Sequence, residues 1–186
     1  TYSNLKVLNN IIINGLGSPG GKPANSYPWV AGIYLDTYTT GGVEISNNTV
    51  AKVYLMGGIL ISNSQNVILK NNTVYECTSC IRMQELGGTL TSPIRNITMT
   101  GNILFAKTTS FKPLLLYSLN NDFNKFGSFD YNYYARPVDN AKPIYTGISG
   151  TVTLRSLAEW QTLYSQDLHS GISPLSLTDT AKIKFY

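Results

Sequence analysis

An all-β fold of short stacked repeats is what this chain of 186 residues predicts, and three observations carry the prediction. The first is a recurring motif. Leu5-x-Val7-x-x-Asn10-x-Ile12 returns as Val43-x-Ile45-x-x-Asn48-x-Val50, Val67-x-Leu69-x-x-Asn72-x-Val74, Ile97-x-Met99-x-x-Asn102-x-Leu104 and Gly127-x-Phe129-x-x-Asn132-x-Tyr134. The second is the alternation inside each copy, since apolar residues at every other position mean a strand with one buried face. The third is the Asn that follows each alternation. It marks a turn whose backbone sits near the left-handed region, where Asn is tolerated and bonds its neighbours. The copies begin 38, 24, 30 and 30 residues apart, within the range of solenoid repeats.

Composition agrees and excludes some functions. Only 13% of residues are charged, with turn and β-forming residues in their place, so disorder is excluded and many tight turns are expected. The net charge of +4 is mild and spread along the chain. With no basic run, no nucleic-acid partner is expected. No apolar stretch approaches the roughly 20 residues of a membrane span, and residues 1–20 lack the pattern of a signal peptide, so no membrane partner is expected and an exported chain has already lost its signal.

Taken in order, residues 1–14 begin in mid-pattern, with Leu5 already in the first apolar column. A solenoid end left open exposes apolar side chains and strand edges, so flanking coils or another chain are expected to cover this end. Residues 15–28, rich in Gly and Pro, form a long excursion that accounts for the first spacing. It is either a binding loop or ordered decoration.

From Trp29 a second strand family follows. Gly32-Ile33-Tyr34-Leu35-Asp36, Gly58-Ile59-Leu60-Ile61-Ser62, Cys80-Ile81-Arg82-Met83-Gln84, Pro113-Leu114-Leu115-Leu116-Tyr117 and Pro143-Ile144-Tyr145 align. Each repeat thus carries at least two strands facing different ways around one core. Such short repeats leave no room for crossover helices, so the strands should stack in parallel register. Cys77 and Cys80 read either as a metal or redox pair or as two small residues packed at a turn, bridged where the compartment oxidises. Zinc would need two further ligands, and His169 is the only histidine.

The Asn-Asn-Thr-Val copies at 47–50 and 71–74, with Gly58-Ile59 between them, resemble the repeat of right-handed parallel β-helix proteins of the secreted bacterial, pectate-lyase-like type. The resemblance covers residues 4 to about 147. It implies a right-handed parallel β-helix solenoid, an inward ladder of stacked Asn side chains, and a secreted or cell-surface location. Because that family spans polysaccharide lyases, glycoside hydrolases, epimerases and non-catalytic adhesins, the resemblance speaks for fold more than for function.

The chain divides at about Gly150 into coils (residues 1–150) and a C-terminal cap (residues 151–186). Ser156-Leu-Ala-Glu159 is a capping box, so a short helix is expected from Leu157 to Tyr164. Trp160 and Leu163 are expected to lie over the open end of the core. Residues 181–186 alternate like a further strand.

The inward columns are apolar, so chemistry must use outward side chains. On the second family Tyr34, Leu60, Arg82, Leu115 and Tyr145 share one outward column, and Asp36, Ser62, Gln84 and Tyr117 the next. Leu60 and Leu115 suggest that a loop or neighbouring domain covers part of this face. Tyr38, Glu85 and Lys112 flank it at turns. The first family's outward positions, from Lys6 and Glu44 to Lys70 and Thr100, form an ordinary solvated face.

Aromatic faces pack on sugar rings and Arg or Gln bonds their oxygens, so the expected partner is a polysaccharide. Asp36 and Arg82 are the catalytic candidates, and Tyr34, Gln84, Glu85, Lys112 and Tyr117 the substrate-binding ones. Lyase chemistry would use Arg82 with Lys112 or Tyr117; hydrolysis would need two carboxyls, and Asp36 with Glu85 is the available pair. A non-catalytic glycan-binding, adhesin or structural module is the alternative. No cofactor or metal is expected. A lone His169 reads as a hydrogen-bonded structural residue.

Overall fold

The computed structural model describes residues 3–15, 30–88, 92–137 and 142–173. All but the first residue of the excursion at 15–28, and the strand expected at 181–186, lie outside them. Among the described residues the chain is all-β apart from one α-helix and one 3-10 turn. Its strands come in threes. The first three are β1 (Leu5–Leu8), β2 (Ile11–Ile13) and β3 (Ala31–Leu35). Then come β4 (Val43–Ser46), β5 (Thr49–Ala51) and β6 (Gly57–Ser62). Next are β7 (Gln65–Lys70), β8 (Thr73–Tyr75) and β9 (Ser79–Gln84). They are followed by β10 (Arg95–Thr100), β11 (Ile103–Phe105) and β12 (Lys112–Ser118). The last set is β13 (Gly127–Asp130), β14 (Tyr133–Ala135) and β15 (Ile144–Ile148).

Corresponding members of each set pair in parallel, giving three sheets that the chain visits in constant order. In the first sheet Leu5, Val43, Val67, Ile97 and Gly127 are direct partners. In the third, Ile33, Ile59, Ile81, Leu114 and Ile144 are. Both columns are those expected from the repeats. The second sheet is new: the alternation that resumes after each Asn belongs to a separate three-residue strand, whose Val50, Val74, Leu104 and Tyr134 turn inward.

A corner separates the first two sheets, and the backbone there corrects the expected turn. The left-handed residue is the one before the repeated Asn: Asn9, Asn47, Asn71, Gly101 and Tyr131, all with φ between 54° and 68°. That frees the repeated Asn to point inward. Asn10 Nδ2 donates to Asn48 Oδ1 at 2.9 Å, Asn48 to Asn72 at 3.0 Å, Asn72 to Asn102 at 2.9 Å and Asn102 to Asn132 at 3.0 Å. Each backbone N–H donates to the same oxygen of the next Asn. Asn48, Asn72, Asn102 and Asn132 are buried, so this ladder satisfies polar groups that water cannot reach.

The two ends differ. At one, β1, β2 and β3 are edge strands, and Leu5, Leu8, Ile11 and Ile13 are exposed. At the other, Ser149 and Gly150, both at positive φ, reverse the chain into β16 (Thr151–Arg155), which pairs antiparallel with β15. The helix α1 (Leu157–Tyr164) follows, its Ser156–Glu159 capping box formed as expected. Leu157 and Trp160 are buried, whereas Leu163 is 56% exposed. The expected pairing of Trp160 with Leu163 over the core is therefore half wrong. The part of the helix that meets the core runs through Trp160 and Tyr164, whose rings lie 4.7 Å apart in a tilted contact, and leaves Leu163 to solvent.

Beyond α1, β17 (Gly171–Ile172) adds to the second sheet beside β14. Asp167 ends the ladder: it accepts from Asn132 Nδ2, Ser170 Oγ, Tyr134 Oη and Trp160 Nε1. Burial raises its pKa, and those four donors oppose the rise.

Candidate functional site

The outward columns of the third sheet are in the expected register: Tyr34, Leu60, Arg82, Leu115 and Tyr145 are consecutive partners, as are Ser62, Gln84, Tyr117 and Gly147. Their exposure divides them. Leu60, Leu115 and Tyr145 are buried, and the Tyr145 ring lies beneath the Lys112 and Arg136 cations, each about 5.5 Å from its centroid. Tyr34 and Asp36 are exposed at the β3 edge, while Arg82, Lys112 and Tyr117 are partly so.

Arg82 and Tyr117 form the centre. The Arg82 guanidinium sits 5.4 Å from the Tyr117 ring centroid. On its other flank the ring lies against Gly147, where any Cβ would collide with it. The two side chains open onto a cleft of about 240 Å³ also lined by Gln84, Leu86, Leu119 and Ser149. Among the described residues no carboxylate pairs with Arg82. Burial draws its pKa below the usual value, opposed by Tyr117 and Tyr34. Lys112 is likewise drawn down, by burial first and then by repulsion from Arg136 and Arg82.

Asp36 and Tyr34 form a second unit. Tyr34 Oη donates to Asp36 Oδ1 at 2.8 Å, and the Thr37 backbone N–H donates to the same oxygen at 2.7 Å. Partial burial and that bond push the Tyr34 phenol up to about 12, so it is a donor at every physiological pH. Ser62, on the strand next to Tyr34, accepts from Gln84 Nε2 at 3.3 Å.

Glu85 lines the same cleft but does not offer its carboxylate to it. Its side chain is 1% exposed, and its carboxylate is fully engaged at the corner between the third and first sheets. It accepts from the Ile94 and Leu119 backbone N–H groups, both at 3.0 Å, and from Ser118 Oγ and Arg95 Nη1. Arg95 also pairs with Asp122. Burial would raise the Asp122 pKa, but Ser118 and Arg95 overcome it and hold the carboxyl below its usual range. Tyr38 stands apart with Asp36 in a separate hollow that also includes Leu5.

Two other candidates resolve quietly. Cys77 and Cys80 are buried free thiols, each raised in pKa chiefly by burial. That reading fits packed residues better than nucleophiles. His169 bonds Asp130 Oδ2 through Nδ1 at 2.7 Å and stacks on Tyr131, on the exposed cap and away from the cleft. Among the described residues no group of three His, Cys, Asp or Glu side chains could hold a metal. No protein-family model, curated protein or solved structure matches this chain.

Proposed function

We propose that the chain is a length of right-handed parallel β-helix from a secreted or cell-surface protein, and that the outer face of its third sheet binds an acidic polysaccharide. In-register parallel pairs visited in constant order support the coil, and the strong preference of parallel crossovers supports its hand. The open edges of β1, β2 and β3 suit pairing with flanking coils or another chain. Isolated at high concentration, the chain is therefore expected to associate, and a monomer by sedimentation would count against that part.

The observation that carries the function is Arg82, partly buried on Tyr117 at the mouth of a cleft and without a carboxylate partner among the described residues. An unpaired cation in such a place is costly, and an anionic ligand relieves it. Lys112 adds a second positive charge, and the exposed Tyr34 offers a ring face to sugars. For turnover, β-elimination suits these residues better than hydrolysis. Hydrolysis needs two free carboxyls, and Glu85 is engaged elsewhere. In an elimination Arg82 would hold the sugar carboxylate and Asp36 would take up the proton. A module that binds without cleaving remains the second reading, favoured by the engagement of Glu85.

Titration with polygalacturonate and with neutral xylan tests this. Polygalacturonate is expected to bind more tightly, and Arg82→Ala to weaken it by roughly 10- to 100-fold, the worth of a charge-assisted bond. Lys6→Ala, on the first sheet's outer face, should leave binding unchanged. Binding by neither polymer, or equal losses in the two variants, would discard the proposal. Unsaturated products absorbing in the ultraviolet would mark a lyase, and tight binding without products the non-catalytic module.

A further inference from the structure

The Asn ladder is closed at one end and open at the other. Between neighbouring sets of strands it repeats the same bonds. The Asn48 N–H and Nδ2 both donate to Asn72 Oδ1, and Asn72 Nδ2 donates back to the Ile45 carbonyl. Asn72 is linked in the same way to Asn102, and Asn102 to Asn132. A backbone N–H can only donate, so each amide oxygen in the ladder faces away from the cap. At the capped end Asp167 and Ser170 take the donors of Asn132. At the other end the Leu8 carbonyl accepts from Asn10 Nδ2, which fixes that amide as well. Among the described residues nothing donates to Asn10 Oδ1, and Asn10 is exposed. The apolar columns stop at the same place. Leu5 is 49% exposed, whereas Val43, Val67 and Ile97, its partners along the first sheet, are buried.

We infer that this end is a docking surface for a partner polypeptide carrying the same repeat, apolar-x-apolar-x-x-Asn, laid parallel to β1 so that its Asn donates to Asn10 Oδ1. Continuity argues for that occupant. Every interface between sets of strands in the chain is built from parallel pairs, apolar columns and these Asn bonds, and the open end is that interface with one side missing. A second copy of the chain does not suit it. The copy's capped end has already committed the Asn132 donors to Asp167 and Ser170. Its open end sets one Asn10 Oδ1 against another. An acceptor buried without a donor is costly, so copies that associate here cover the strand edges and leave the ladder unmatched. The inference rests on the edge pairing proposed above, names the chemistry that selects the partner, and is independent of the glycan reading.

The probe is a synthetic peptide of residues 43–62, which spans β4, β5 and β6, titrated into the full chain while amide shifts are followed. Binding is expected, with shifts over β1 and β2. The same peptide with Asn48→Asp keeps its size but turns a donor into an acceptor. It should bind roughly 5- to 100-fold more weakly, the range for a buried acceptor left unmatched. Asn10→Ala in the full chain removes the acceptor and should abolish the preference between the two peptides, a readout that lost packing alone would not move. Equal binding of both peptides by the unaltered chain, or a preference that survives Asn10→Ala, overturns the inference and leaves the edge pairing standing. No binding of either peptide, or shifts confined to other strands, removes both.

Discussion

Asn72→Leu is expected to destabilise the fold by about 2–6 kcal/mol, one of the two largest losses any single side chain here should show. The substitution removes four side-chain hydrogen bonds. Asn48 loses the acceptor for its backbone N–H and one for its Nδ2, and the Ile45 carbonyl and Asn102 Oδ1 each lose a donor. Asn48 Nδ2 keeps Val7 and Ser46, and Asn102 Oδ1 keeps the Asn72 N–H. One group is left fully orphaned in a dry interior, the Asn48 N–H, because the Ile45 carbonyl stays in the ladder between β4 and β7. About 1–3 kcal/mol for that group and roughly 0.5–1 kcal/mol for each of the other three lost bonds account for the range. Lys70→Ala, two residues earlier and outward, should change stability by less than about 0.5 kcal/mol. Urea melts of the two variants are the check, and equal midpoints would mean that the ladder is ornamental.

Trp160→Ala should cost about 3–5 kcal/mol, the usual range for emptying a buried tryptophan site. The indole is fully buried and packs against Phe123, Phe129 and Tyr164 at centroid distances of 6.3, 6.3 and 4.7 Å. Its Nε1–H is also one of the four donors to Asp167 at the end of the Asn ladder. The loss therefore adds a weakened buried carboxylate to a cavity. Leu163→Ala on the exposed side of the same helix supplies the comparison, with an expected change of less than about 0.5 kcal/mol. A difference between the two variants below about 1 kcal/mol, by the same melts, would contradict the capping role.

The two substitutions also show where the sequence was sufficient and where it was not. Asn72 could be chosen from the repeat alone, because a period of two and a residue that returns at one place in each copy leave little freedom in register. A one-residue slip would turn every apolar side chain outward. The helix was equally legible, since the capping box and the apolar spacing are local. Leu163 was misplaced for a different reason. Its spacing from Trp160 puts it on the same side of a helix, but which part of that side meets the core depends on the angle at which β16 delivers the chain.

The candidate face divides in the same way. Columns could be read, so Tyr34, Asp36, Arg82, Gln84 and Tyr117 were correctly brought onto one face. Which of them are accessible could not be read. Gln84 is buried, flanked on the neighbouring strands by Ser62 and Tyr117, and Glu85 turns inward because the corner between sheets presents it with the Ile94 and Leu119 N–H groups and Arg95.

By itself the sequence determined an all-β chain of stacked repeats, the parallel register within two strand families, the Asn column and the terminal helix. All of these follow from periodicity and short-range chemistry. Only the tertiary structure decided that the alternation after each Asn is a separate sheet, the second, since three-residue strands are too short for a period of two to declare itself. It also placed the left-handed residue one position earlier, which is what lets each Asn turn inward to its neighbour. And it turned the Glu85 carboxylate onto the Ile94 and Leu119 N–H groups, because those partners are brought to it by segments distant in the chain.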